Sequence, residues 1–584
     1  MALWKCLSLA FALAAGVRAQ SSNERIWAVV AFINHGETTP LMSASDTVLT
    51  PEGAQQMLRQ GTAFRARYLG NVSDSNYDGI ETAYIQDMNN DLIDNTVLDL
   101  TSRTDQYVSG GAMAFMQGLY PPSSDAFEND ADLIEMARDY SQGGDNLTDY
   151  PLDGYQYPNI RTLGILDPMS TAIQGNIRCS AWESEMSTNL TQDETMLEFY
   201  NATYSFYQLL FSTSPLEGTI ELQYANLWNA YVLSEYVNYM YIHNETVHDG
   251  LANATSVLSI LSSYAASMER TKNSYGNEFD SAESDAKEVL YSIAGRTLAN
   301  RVERQFVNNL QWSGTRDKLT LMFGSFEPIL SFISLSGLLT RDSIAEGPFS
   351  TLPEPGAAIV FELYSENQDD QDEQPSYDDL LVRFYYRASA DSDEDFETYA
   401  LFGTKYNSSV PYSDFISEME KLGTTAHEWC DVCGPTPAPW CYSPYVNVGD
   451  GDSYSSGRLD PIVAGVVGAI IMAVVLAFIA AALFFFAGLR LRRNVAKEEE
   501  PSNPTGGFKN PETIVGDKDV AVTREGFHHE RVGSWELRDG SHMPSFDAAG
   551  IAKNDQPRER GMSLDDDDDI SVMGASPVKA HESV

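Results

Sequence analysis

Residues 461–489 contain no charged side chain, and this run constrains the chain more than any other feature. A bilayer core is crossed by roughly 20 apolar residues of helix, so the run spans it with room for tilt. Arg490, Arg492, Arg493 and Lys497 follow at once, and such a basic flank marks the cytoplasmic side. Residues 1–19 read as a secretory signal, with Lys5 at the start, an apolar stretch from Leu7 to Val17 and the cleavage site Val17-Arg18-Ala19. The expectation is a single-pass type I membrane protein with its N-terminal domain outside. The plasma membrane is the default location and a vacuolar membrane the alternative. The long polar tail after the run argues against a lipid-anchor signal. Ala464 and Gly468 have a helix-pairing spacing that arises often by chance in such a span.

The rest of the chain divides accordingly. The ectodomain is placed at 20–433, the Pro-, Gly- and Ser-rich stretch 434–460 is a stalk, and 490–584 is a tail with the run Asp565–Asp569 and few apolar residues, expected to be disordered. Cys6 leaves with the signal. Cys179, Cys430, Cys433 and Cys441 remain, all before the span. An even number in a secreted domain favours two disulfides, with three pairings open. A zinc site at Cys430-x-x-Cys433 has no second Cys/His pair to complete it. Glycosylation sequons start at Asn71, Asn146, Asn189, Asn201, Asn244, Asn253 and Asn407, and none follows the span.

The net charge is −47. The tail holds 13 Lys/Arg and 19 Asp/Glu, a net of −6, which leaves −41 for the remainder. A surface this acidic repels nucleic acid and does not draw polyanions inward. The partners expected are the membrane, a phosphorylated small-molecule ligand and any cytosolic proteins that the tail recruits, with no nucleic acid. No metal or other cofactor is expected, because the ectodomain histidines His35, His243, His248 and His427 lack ligand spacing.

Within the ectodomain, Ile26 to Ile33 reads as a buried strand that ends at His35-Gly36. Thr50-Pro51 then starts a helix on which Ala54, Leu58, Gly61, Phe64 and Tyr68 share a face. Strand, polar loop and helix open an α/β unit, which binds ligands beyond the carboxyl ends of its strands. The Tyr-rich middle, about 120–300, reads as a helical cap, with 196–240 and 279–310 as its clearest helices. Strands return at Lys318–Phe323, Ala357–Tyr364 and Leu380–Tyr386, with an acidic loop at Asp369–Asp379. His243 and His248 flank a sequon and read as solvated loop residues.

The segment Asn34-His35-Gly36-Glu37-Thr38-Thr39-Pro40 resembles the Arg-His-Gly-x-Arg-x-Pro signature of the histidine acid phosphatases. Four later segments resemble the same family in order: Leu49-Thr-Pro-Glu-Gly-Ala-Gln-Gln56, Ala112-Met-Ala-Phe-Met-Gln-Gly-Leu-Tyr-Pro-Pro122, Val360-Phe-Glu-Leu363 with Val382-Arg383, and Trp429-Cys430-x-x-Cys433. The resemblance implies a three-layer α/β core with a mostly parallel sheet and a helical cap. It also implies a histidine nucleophile that takes up the phosphoryl group, arginines that neutralise the phosphate oxygens, and a carboxylic acid that protonates the leaving group. His35 falls on the nucleophile. Asn34 and Thr38 stand where the family has arginines. The third arginine of the family falls near Tyr107, with Arg103 about one helical turn away; an exposed surface arginine is the ordinary reading of it. Gly324-Ser325 stands where the second motif, His-Asp, is expected before a helix at 329–338. Glu327 is the nearest candidate acid, although a carboxylate at a helix start has a structural explanation too. The expectation is an acid phosphatase-like protein whose phosphomonoesterase activity is impaired or lost and whose domain binds a ligand or partner; the alternative is an active enzyme that forms phosphohistidine at His35.

Overall fold

The computed structural model describes residues 24–442, apart from 43–45, 71, 124–130, 143–151, 275–285, 367–374 and 435–437. The expected signal, nearly all of the stalk, the apolar run 461–489, the tail and the sequons at Asn71 and Asn146 lie outside the described residues. Among the described residues no helix is long and apolar enough to cross a membrane.

The fold is a mixed α/β sandwich. Strand β1 (Arg25–Asn34) is central, and the other strands are β2 (Leu98–Arg103), β3 (Ile160–Leu163), β4 (Leu319–Gly324), β5 (Ala358–Ser365), β6 (Leu380–Arg387), β7 (Glu397–Tyr399) and β8 (Ser409–Pro411). The order across the sheet is β3-β2-β4-β1-β5-β6-β7, with β8 also on β6. From β3 to β1 every pairing is parallel. From β1 outward through β5, β6, β7 and β8 every pairing is antiparallel. The sheet therefore has the expected parallel core plus an antiparallel flank that the sequence did not announce.

Side chains alternate across β1 as pleating requires. Ala28, Val30 and Phe32 point into one apolar layer, with Val302 and Phe306 of helix Ile293–Gln311 and Phe332 of helix Glu327–Leu335. Val29, Ala31 and Ile33 point into the opposite layer, against Met57 and Phe64 of α1 (Pro51–Tyr68) and Phe115 of α2 (Gln106–Leu119). A strand buried on both faces reads as a continuous apolar run, which is why β1 is so plain in the sequence. The two covering helices meet through glycine: a Cβ on Gly61 would lie 1.9 Å from the Phe115 carbonyl oxygen, and one on Gly118 would lie 2.1 Å from that of Leu58.

The cap has its own core, formed chiefly by helices Glu194–Ser212, Ala230–His243 and Ala254–Asn273. Two expectations need correction here. The helical pattern over 196–240 is broken between Ser212 and Ala230 by turns that include the cis bond Ser214–Pro215. Helix Ile293–Gln311, which lies within and beyond the expected cap, packs on the sheet instead, because its Leu298, Ala299, Val302 and Phe306 join the core of the central layer. The helix expected at 329–338 runs over Glu327–Leu335, since Pro328 favours its first turn. Disulfides join Cys179 to Cys433 and Cys430 to Cys441, which resolves the three open pairings and leaves no thiol pair for zinc.

Candidate active site

The parallel strands end together. Register pairs Asn34 with Gly324 and Ser102 with Phe323, so Asn34, Gly324 and Arg103 share the carboxyl edge of β1, β4 and β2. His35 follows β1. Its backbone N–H donates to the Gly324 carbonyl, and its own carbonyl accepts from Gly356 N–H, each at 3.0 Å. The loop then folds against the start of α1. A Cβ on Gly36 would lie 2.2 Å from the Gly53 carbonyl oxygen, and one on Gly53 would lie 2.1 Å from that of Glu37. The two motif glycines therefore exist to let loop and helix touch. Thr50 caps α1 by accepting from Gly53 N–H at 2.9 Å, and its hydroxyl donates to Glu37 Oε1 at 2.8 Å.

His35 Nδ1 lies 2.7 Å from the Gly36 carbonyl oxygen. A carbonyl only accepts, so Nδ1 carries the proton and Nε2 of the neutral ring holds the lone pair. Burial pushes the histidine below its ordinary range, Arg103 adds to this, and Glu327 and Asp105 act against it. The ring of Tyr107 packs on it edge to face at 4.8 Å. The residue expected where the family has its third arginine is therefore an aromatic wall. Arg103 is not the exposed loop residue that the ordinary reading implies. It ends a strand, its side chain is only 14% exposed, and its Nε donates to Asp105 at 2.9 Å. Glu327 opens its helix, within electrostatic reach of His35, Tyr107 and Tyr231.

The positions expected to hold arginines are committed elsewhere. Asn34 is buried, and its Nδ2 donates to the Glu354 and Pro353 carbonyls at 2.9 and 3.4 Å. Thr38 Oγ1 donates to Glu235 Oε1 of the cap at 3.2 Å. At the place of the second motif, a Cβ on Gly324 would lie 2.5 Å from Phe32 Cζ, so the ring of a buried phenylalanine fills the space that a side chain there needs.

The cleft over His35 has a volume of about 560 Å³. Its carboxylates are Glu37, Glu235 and Glu354, and among the described residues no lysine or arginine lines it. Sequence reasoning missed Glu235, Glu354 and Tyr231. It also put His243 in a solvated loop; His243 ends the cap helix Ala230–His243 and its Nε2 meets Glu37 Oε1 at 3.0 Å. His248 lies on helix Glu245–Gly250 and its Nδ1 bonds the Tyr241 carbonyl. A usable signal was present: Tyr231, Ser234, Glu235, Asn238, Tyr239 and Ile242 follow one helical stripe and all line the cleft. Among the described residues no three His, Cys, Asp or Glu side chains come together as a metal site. Of the described sequons, Asn189, Asn201, Asn253 and Asn407 are exposed, whereas Asn244 is half-buried and caps its helix by accepting from Val247 N–H.

The profile of the histidine phosphatase superfamily, branch 2, matches residues 30–387. The chain belongs to this family. No curated protein sequence matches it. Solved structures similar to it include the phytase of Citrobacter braakii, at 12% identity and a TM-score of 0.42 over 70% of this chain and 100% of that one. The phytase of D. castellii aligns at 16% and 0.41 over 75% and 88%. The Bifidobacterium longum multiple inositol polyphosphate phosphatase, solved with inositol hexasulfate, aligns at 11% and 0.35 over 70% and 95%. The family assignment rests on the profile match and gives the histidine acid phosphatase fold.

Proposed function

We propose that this protein has lost phosphomonoester hydrolysis and uses the family cleft to bind a ligand. The observation that carries the reading is the charge of the cleft: among the described residues three carboxylates line it, and no lysine or arginine does. Phosphoryl transfer through histidine depends on fixed cations around the phosphate oxygens. Each missing charged contact costs about 3 kcal/mol in the transition state, roughly a hundredfold in rate. Asn34 and Thr38 supply neither charge nor free donors, because both already donate to protein oxygens. The apolar run 461–489 and the basic residues after it support display of the domain on a membrane, with the tail facing the cytosol.

One observation favours the second reading, an active enzyme. His35 holds its Nε2 lone pair free of the proton, with Arg103 and Glu327 within electrostatic reach. Full-length protein incubated with p-nitrophenyl phosphate and quenched in base separates the two. Mass spectrometry is expected to find His35 unmodified; phosphohistidine at His35 would establish the active reading.

A further inference from the structure

We infer that the cleft beside His35 takes a small organic cation, held by Glu235 and by the rim carboxylate of Glu354 and walled by Tyr231, Tyr239 and Phe326. The inference rests on the reading that phosphate no longer occupies this cleft.

Two residues that line the cleft each hold a buried acceptor atom without a hydrogen-bond partner among the described residues, Glu235 Oε2 and Asn34 Oδ1. Asn34 is 4% exposed, and its amide nitrogen is fixed by the two carbonyls that it donates to, so its oxygen is the free end. Both atoms are acceptors. A buried acceptor without a donor is costly, and a buried carboxylate without a cation more so. An anionic ligand would leave both unsatisfied and add repulsion. An ammonium brings three donors and a guanidinium five, each with a positive charge.

The surroundings of Glu235 point the same way. Burial holds its pKa at about 7, and only hydrogen bonds from Leu41 N–H and Thr38 offset this, with no cation among the opposing causes. Glu37, the carboxylate of the His35 loop, already has His243 and Thr50 as partners. Tyr231 is pushed well above its ordinary range by burial, with Glu235 and Glu327 adding to this, so its hydroxyl stays protonated in a field of negative charge. Tyr231 packs against Phe326 at 4.9 Å and Tyr239 against His243 at 4.4 Å, and aromatic faces of this kind attract cations. The carboxylates are spread around a cleft of about 560 Å³ and form no metal cluster among the described residues. That spacing suits a polyatomic cation, and the volume lies in the ordinary range for small-molecule sites.

Isothermal titration of the full-length protein in detergent, at about pH 8 so that Glu235 is ionised, tests this with putrescine, choline and argininamide. At least one probe is expected to bind one to one. Glu235→Gln and Glu354→Gln are each expected to weaken it by about tenfold or more. Glu198→Gln, on the exposed face of helix Glu194–Ser212, is expected to leave it unchanged, which removes bulk attraction to the acidic surface as the cause. No saturation by any probe up to about 10 mM, equal binding by wild type and Glu235→Gln, or an equal loss in Glu198→Gln would overturn the inference. Thermal melts establish that the variants fold; if Glu235→Gln does not, Glu354→Gln decides. Phosphohistidine at His35 would refute the underlying reading, whereas unmodified His35 without amine binding would refute this inference alone.

Discussion

Glu235 is a carboxyl held in the folded protein at a pKa of about 7, well above its ordinary 4.5. The folded state therefore prefers it protonated. The cost is absent below about pH 4.5, grows as pH rises to about 7 and is constant above that, with a ceiling of about 3 kcal/mol. Glu235→Gln keeps the shape and removes the charge. It is expected to raise the melting temperature at pH 8 and to leave it nearly unchanged at pH 4, as read by circular dichroism. An equal effect at both values would mean that the carboxyl is not strained by burial. Residues of this kind were hidden in the sequence. His35 stands out because glycine follows it at the end of an apolar run, whereas Glu235 is one glutamate among many until helix and cap place it over the loop. Arg103 shows the opposite failure. Counting along the chain put it about one helical turn from the expected place, because β2 was not recognised: Leu98-Asp-Leu-Thr-Ser-Arg103 carries Asp99 and Thr101 on a buried strand, and that mixture hides the apolar pattern.

At the scale of elements, the His35 loop and α1 form one unit through Gly36 and Gly53. Adding a methyl group to Gly36 drives it into a backbone oxygen that cannot swing aside. Gly36→Ala is expected to destabilise the protein by about 2–3 kcal/mol, measured by urea unfolding, while Gly79→Ala, with open space around it, is expected to change nothing measurable. This contact was legible, since His-Gly and Thr-Pro-Glu-Gly are both visible motifs. So was α1, where Thr50, Pro51 and a regular apolar face agree. The cap was legible only as helical. Its break at 213–229 follows from proline, glycine and turn residues inside a region whose aromatic content suggested continuity. The antiparallel flank was equally hidden, because an apolar run such as Ala357–Tyr364 fits either direction of pairing.

At the scale of the whole molecule, the disulfides differ in what they tie. Cys179–Cys433 closes 254 residues and Cys430–Cys441 closes 11. In a chain-entropy account the long closure contributes about 5 kcal/mol and the short one about 3 kcal/mol. Cys179→Ala with Cys433→Ala is expected to lower the melting temperature more than Cys430→Ala with Cys441→Ala, and the reverse order would show that local packing around Trp429 dominates. Charge acts on the same scale. Glu303, near Glu420, is also held at about 7 by burial, so like Glu235 it costs stability as pH rises from about 4.5 to about 7. His35, held low, opposes this below about pH 6.5. Burial raises Glu269, Asp317, Glu354 and Glu394 as well, so the raised carboxyls outweigh the one lowered histidine, and stability is expected to be greater at pH 5 than at pH 8 by calorimetry; a maximum at pH 8 would show that burial of these carboxyls is not what sets the pH dependence. The family and its α/β frame were legible from five motifs in order, but the charge of the cleft required the cap to be folded onto the sheet. Loss of phosphoryl transfer in this cleft, as proposed, has one direct test. The direct measurement is hydrolysis of p-nitrophenyl phosphate by the full-length protein from acid to neutral pH, beside His35→Ala. Equal, background rates are expected for the two proteins. Turnover by the wild type that disappears in His35→Ala would contradict the proposed loss.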